Sequence, residues 1–127
     1  MSELILLSTI WHTGTHSLQT QLRKEGYTVK QLHCCEDALR LSKEMKTFTT
    51  YRDPYEVAAA WIVRSKLPKW LSEWERQWTH YHQIRRNATV IDLHELKYQE
   101  NHFEGGKRAD KSKVDEIMGD YMRFCYE

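Results

Sequence analysis

Little in this chain points to a disulfide scaffold, a membrane span or a polyanion-binding surface. Its three cysteines are Cys34, Cys35 and Cys125. Adjacent cysteines rarely pair with each other, so reduced thiols in a cytoplasmic compartment are expected rather than a disulfide framework. No apolar run approaches the roughly 20 residues that a membrane-crossing helix needs, and the run over residues 4–7 is too short for a signal-peptide core. Lys and Arg number 19 against 18 Asp and Glu, a net charge of +1, which leaves no excess of positive charge for coating nucleic acid. Internal repeats and low-complexity tracts are missing as well. The 127 residues are therefore expected to form one domain over 1–127, large enough to bury a real core, with neither nucleic acid nor membrane as a partner.

What is present is an alternation of strand and helix patterns. The unbroken apolar run at 4–7 reads as a strand buried on both faces, and it is followed by a turn through small hydroxyl residues around Gly14 into an amphipathic segment at 17–24. Such a strand–loop–helix turn aims unpaired backbone N–H groups and the positive end of a helix dipole at one point, which suits an anion such as phosphate. Thr13, Thr15 and Ser17 would add hydroxyls, although an ordinary strand-to-helix connection has the same outline. Gly26 is a natural helix stop. Residues 27–32 predict a second strand that delivers His33 at its end, 36–45 a second helix, and 46–51 a third strand. Strands separated by helices imply right-handed crossovers and a mainly parallel sheet, with ligands at the carboxyl ends of the strands. The loop at His12, the end at His33 and the end at Arg52 should therefore share one edge.

Asp53 and Pro54 suit the N-cap and first turn of a third helix. Residues 66–68 interrupt the helical pattern, after which Trp70, Trp74 and Trp78 recur every four residues in a helix ending near Arg86. That stripe is read as a face packed on the sheet rather than a base-stacking platform. Residues 88–93 predict a fourth strand, 98–113 a mobile polar loop containing Gly105 and Gly106, and 114–124 a closing helix with Ile117, Met118, Tyr121 and Met122 inward.

Two motifs in this order resemble those of the sulfotransferases. His12-Thr13-Gly14-Thr15-His16 resembles that family's Lys-Ser/Thr-Gly-Thr-Thr phosphosulfate loop, and Arg52-Asp53-Pro54 resembles its Arg-Asp/Asn-Pro motif, which holds the 3′-phosphate of the cofactor. Val90 to Leu96 looks like the family's strand ending in Tyr-Glu-Asp-Leu. Gly105-Gly106-Lys107-Arg108 sits where a basic glycine loop covers the 3′-phosphate, and Phe124-Cys125-Tyr126-Glu127 looks like its closing Leu-Gly-Tyr-Glu. The resemblance implies an α/β, three-layer P-loop-like fold with a mainly parallel central sheet of about four strands flanked by helices. It implies a small sulfotransferase that moves a sulfuryl group from 3′-phosphoadenosine 5′-phosphosulfate to a hydroxyl or amine, releasing 3′-phosphoadenosine 5′-phosphate without a metal. His12, Thr13, Gly14, Thr15, His16, Ser17, Arg52, Lys107 and Arg108 would bind the nucleotide. His12 would also act in catalysis beside His33, which occupies the place of the family's catalytic base.

The chain departs from that pattern at specific positions. His12 replaces the loop lysine that neutralises the leaving phosphate, His16 the second loop threonine, Ser17 a tryptophan that often stacks on adenine, and Ala60 a serine that shares the 3′-phosphate. Most of the acceptor-binding insertion after the loop helix is absent, so the acceptor would be bound on an open edge or presented by a partner. These departures keep open a second function, a catalytically inactive nucleotide sensor or sink on the same fold. A Walker-type ATPase fits less well, because Gly14 is followed by Thr15 and His16 instead of Lys and Ser/Thr.

Overall fold

The apolar run at the start of the chain becomes β1 (Leu4–Thr9), an inner strand of the sheet. Its side chains from Ile5 onward are buried, and only Leu4, at the edge of the fold, is 53% exposed. The computed structural model describes residues 3–11, 13, 15–64, 71–93 and 111–126. After β1 come α1 (Thr15–Lys24), β2 (Thr28–His33), α2 (Glu36–Ser42), β3 (Thr47–Tyr51), α3 (Pro54–Arg64) and α4 (Leu71–Ile84). A single 3-10 turn, Arg85–Asn87, leads to β4 (Thr89–Asp92), and α5 (Lys111–Met118) runs on into a 3-10 segment, Gly119–Cys125. Among the described residues the sheet has four strands in the order β2-β1-β3-β4, all parallel. Among the same residues five α-helices flank it, as the alternation predicts.

The first connection carries the chain from β1 to one side, and the second brings it back across β1 to the other. Right-handed crossovers in opposite directions put their helices on opposite faces. Accordingly, Leu18 and Leu22 of α1 pack with Ile5, Leu7, Phe48 and Leu93 on one face. Ala38 of α2 joins Val57, Trp61, Trp74, Trp78, Val114 and Met118 on the other. The tryptophan stripe is thus core: Trp74 and Trp78 are buried, and Trp61, Trp74 and Trp78 follow one another with ring centroids 5.2 and 5.7 Å apart.

Local signals set several boundaries. Gly26 has φ 101° and lets Tyr27 N–H reach the Leu22 carbonyl at 3.1 Å, a Schellman stop that an L-side chain would strain. Asp53 caps α3, its Oδ1 accepting the Tyr55 N–H at 2.8 Å and the Glu56 N–H at 3.4 Å. The chain end differs from its sequence reading in two ways. Residues 111–113, expected in a loop, already form the first turn of α5. Ile117, expected inward, is 42% exposed, because Val114, Met118, Met122 and Cys125 take the buried face. The helix tightens to 3-10 at Gly119, whose φ is 52°, so a single α-helical face does not continue through the segment. The interruption at 66–68, Trp70 and the rest of the expected loop, 98–110, lie outside the described residues.

Candidate functional site

Because β2 lies on one side of β1 and β3 on the other, the strand order reverses between β1 and β3. In open α/β sheets that is where ligands bind, beyond the carboxyl ends of the two strands. Here the ends supply Ile10, Trp11 and Thr13 after β1 and Arg52 after β3. Hydroxyl groups tie them together. Thr50 Oγ1 donates to Thr13 Oγ1 at 2.8 Å, Thr13 Oγ1 donates in turn to the Ile10 carbonyl at 2.6 Å, and the Thr9 and Thr15 hydroxyls share a bond of 2.6 Å. The Trp11 backbone is held from the opposite face. Its N–H donates to Gln77 Oε1 at 2.9 Å, and its carbonyl accepts Trp61 Nε1–H at 2.9 Å. The connection from β1 to α1 is thereby fastened to β1, β3, α3 and α4.

This bonding decides what each expected site residue can offer. Thr13 is 2% exposed and its hydroxyl proton is committed to the Ile10 carbonyl. Thr15 opens α1, His16 is exposed in the first turn, and Ser17 is buried there. Ser17 Oγ has no hydrogen-bond partner among the described residues. Buried hydroxyls without partners are uncommon in native folds. Arg52 is 2% exposed, so it is neither a surface ion pair nor a helix cap, a role that Asp53 fills. It is a cation drawn into the β1/β3 end, where charge-assisted bonds are strongest. His12, Gly14, Lys107 and Arg108 lie outside the described residues.

His33 closes the same edge from β2, paired in register with Thr9. Its ring stands edge-on to Trp11, centroids 5.4 Å apart. The ring keeps an exposed side, yet its partial burial lowers its pKa from the usual 6.5. A hydrogen bond to the Thr9 backbone and the charge of Glu73 pull the other way and do not outweigh that burial. His33 is therefore neutral at pH 7, with one ring nitrogen engaged at Thr9 and the other able to accept a proton. Cys34, by contrast, is fully buried beneath a Ser8 hydroxyl at 3.7 Å. Burial pushes its thiol up to about 12, so it stays protonated and unreactive at neutral pH.

The sequence reading thus finds its β1 loop, His33 and Arg52 on one edge, while Ala60 is buried within α3 and offers no hydroxyl. It missed Gln77. A polar residue standing at i+3 from Trp74 and at i−1 and i−4 from Trp78 and Tyr81, inside an apolar stripe, is the signal that could have found it. Among the described residues no group of three or more His, Cys, Asp or Glu side chains is arranged to hold a metal ion, and no helix is long and apolar enough to cross a membrane. The fold and site define a doubly wound α/β domain with a fastened strand-to-helix loop at its switch point. No family model matches the chain, and no curated protein or solved structure matches it.

Proposed function

We propose that this chain binds 3′-phosphoadenosine 5′-phosphosulfate at the β1/β3 switch point and transfers its sulfuryl group to a hydroxyl or amine acceptor, on a P-loop-like variant of the doubly wound fold. The observation that carries the reading is the Thr50–Thr13 hydrogen bond of 2.8 Å, which ties the loop leading into α1 to the strand that leads to Arg52. A donor with two anionic ends needs two anion sites: a cradle of backbone N–H groups at a helix N-terminus and a guanidinium. The start of α1 supports the first assignment and Arg52 the second. Lys107 and Arg108 enter only by resemblance.

In the transfer step the acceptor oxygen or nitrogen attacks sulfur. The bond from sulfur to the 5′-phosphate oxygen breaks, its electron pair stays on that phosphate, and the acceptor's proton passes to His33. The products are a sulfate ester or sulfamate and 3′-phosphoadenosine 5′-phosphate. Neutral His33 suits a base in this step, and His12 would offset the charge of the leaving phosphate, more strongly as imidazolium. The second reading, a nucleotide sensor or sink, is favoured by Ala60, which leaves the 3′-phosphate one hydroxyl short.

Transfer of labelled sulfate to a panel of phenols, alcohols, sugars and amines tests the proposal. The wild type should form product, and His33→Ala should lower turnover by roughly 10² to 10⁴ with donor affinity nearly intact. Tight nucleotide binding without product in the wild type selects the sink. Product that survives in His33→Ala removes this residue as the base and directs attention to His16 or Glu36.

A further inference from the structure

The inward stripe of α4 reads Trp74, Gln77, Trp78, Tyr81: three aromatic rings and one amide, all buried, with Gln77 at 0% exposure. Burying an amide this completely is unfavourable unless both of its ends find partners. Both do. Gln77 Oε1 accepts the Trp11 N–H at 2.9 Å, and Gln77 Nε2 donates to Glu73 Oε2 at 3.3 Å. A carboxylate accepts and cannot donate, so Glu73 dictates which way the amide faces and turns its carbonyl to Trp11. Glu73 is itself held by Arg76, whose Nη1 donates to Oε1 at 3.1 Å. A leucine at position 77 would pack as well against the tryptophans, but it would strand the Trp11 N–H.

We propose that Gln77 is a positioning residue for the β1–α1 loop: held by Glu73, it clamps the Trp11 backbone and so fixes the path of the chain into the anion-binding residues that follow. The inference rests on the reading of that loop as the anion cradle. It makes nucleotide affinity depend on a residue that touches no nucleotide and belongs to a helix 66 residues further along the chain.

The test compares Gln77→Met, which keeps the volume and loses the acceptor, with the paired exchange Glu73→Gln and Gln77→Glu, which keeps an acceptor for Trp11 and supplies the new carboxylate with an amide donor from position 73. Three quantities are measured: the affinity for 3′-phosphoadenosine 5′-phosphate, the affinity for inorganic pyrophosphate, and the exchange rate of the Trp11 amide relative to Leu6 and Leu7 amides in β1. In Gln77→Met both affinities should fall about tenfold and the Trp11 amide alone should exchange at least about tenfold faster. The paired exchange should recover most of both effects. If Gln77→Met fails to fold, Glu73→Ala, which releases the amide's orientation from the outer side, should move the same quantities in the same direction. Wild-type affinity in Gln77→Met, or a Trp11 amide as protected as in the wild type, overturns the proposal, as does equal loss of affinity in Gln77→Met and in the paired exchange. Pyrophosphate binding without a preference for the nucleotide removes the proposed donor and leaves the clamp supported. A wild type that binds neither anion overturns both.

Discussion

The two faces of the sheet are built from different chemistry and have divided the work. On the α1 face, aliphatic packing by Ile5, Leu7, Leu18 and Leu22 gives way at the carboxyl end to hydroxyl groups from Thr9, Thr13, Thr15 and Thr50. On the opposite face, Trp61, Trp74, Trp78 and Tyr81 form a run of aromatic rings. Those rings do more than fill volume. Trp61 Nε1 holds the Trp11 carbonyl, Trp74 Nε1 holds the Tyr121 carbonyl at 2.9 Å, and the Tyr81 hydroxyl holds the Thr50 carbonyl at 2.8 Å. The ends of β1 and β3, which bracket the candidate site, are therefore pinned from behind by the aromatic face and joined in front by hydroxyls. Large amphipathic rings suit this task because one edge packs while the other donates a hydrogen bond. The comparison teaches that the aromatic face pins the strand ends from behind, while the other face carries the hydroxyl groups that border the candidate site.

The largest expected effect falls on the aromatic face. Trp74→Ala removes a fully buried ring and should destabilise the fold by about 3 to 5 kcal/mol, read from urea unfolding. A loss below about 1 kcal/mol would break the assignment of this face as the scaffold. Next is Arg52. Arg52→Ala should weaken 3′-phosphoadenosine 5′-phosphate binding by about 1.5 to 3 kcal/mol while leaving a nucleotide without the 3′-phosphate nearly unaffected. Its burial adds a stability cost, so the decisive quantity is the difference between the two nucleotides measured on the same folded variant. Equal losses for both would assign Arg52 to the scaffold. A smaller effect belongs to the hydroxyl side. Thr50→Val keeps shape but removes the donor to Thr13, and it should cost about 1 kcal/mol. The same variant should lower pyrophosphate affinity more than its small change in stability accounts for. Unchanged affinity would show that the aromatic face alone sets the loop.

Much of this arrangement was legible in the sequence, and its gaps have physical causes. Alternating strand and helix patterns gave the parallel sheet, and parallel strands necessarily bring the β1 loop, His33 and Arg52 to one edge. Asp53-Pro54 gave the start of α3 because capping is local chemistry. What could not be read depends on distance or on a change of helix type. The Gln77–Trp11 bond joins residues 66 positions apart, so nothing near Gln77 in the chain names its partner. Ile117 was assigned inward on a uniform helical period, which the turn at Gly119 breaks. The depth of Arg52 was not visible either, since burial at a strand end depends on which loops fold over it.

The smallest expected effect concerns His33, at the boundary between the two faces. Its contact with the Trp11 ring partly removes it from water, which disfavours the charged form. Folding lowers its pKa, so protons bind the unfolded chain more tightly than the folded one. The stability contributed by neutral His33 is thus complete above its ordinary value of 6.5 and is lost as pH falls through the lower folded value. A titration of the His33 ring signals by NMR should have its midpoint below 6.5. His33→Gln should lose less stability than the wild type between about pH 7 and about pH 5, by a modest margin because one side of the ring stays in water. The same lowered value means that sulfuryl transfer limited by a neutral His33 should already be on its plateau at pH 7 and should decline only on the acid side. A midpoint at or above 6.5 would mean that Glu73 and Thr9 outweigh the burial. His33 would then be partly charged at neutral pH, and the base would have to be sought elsewhere on the edge.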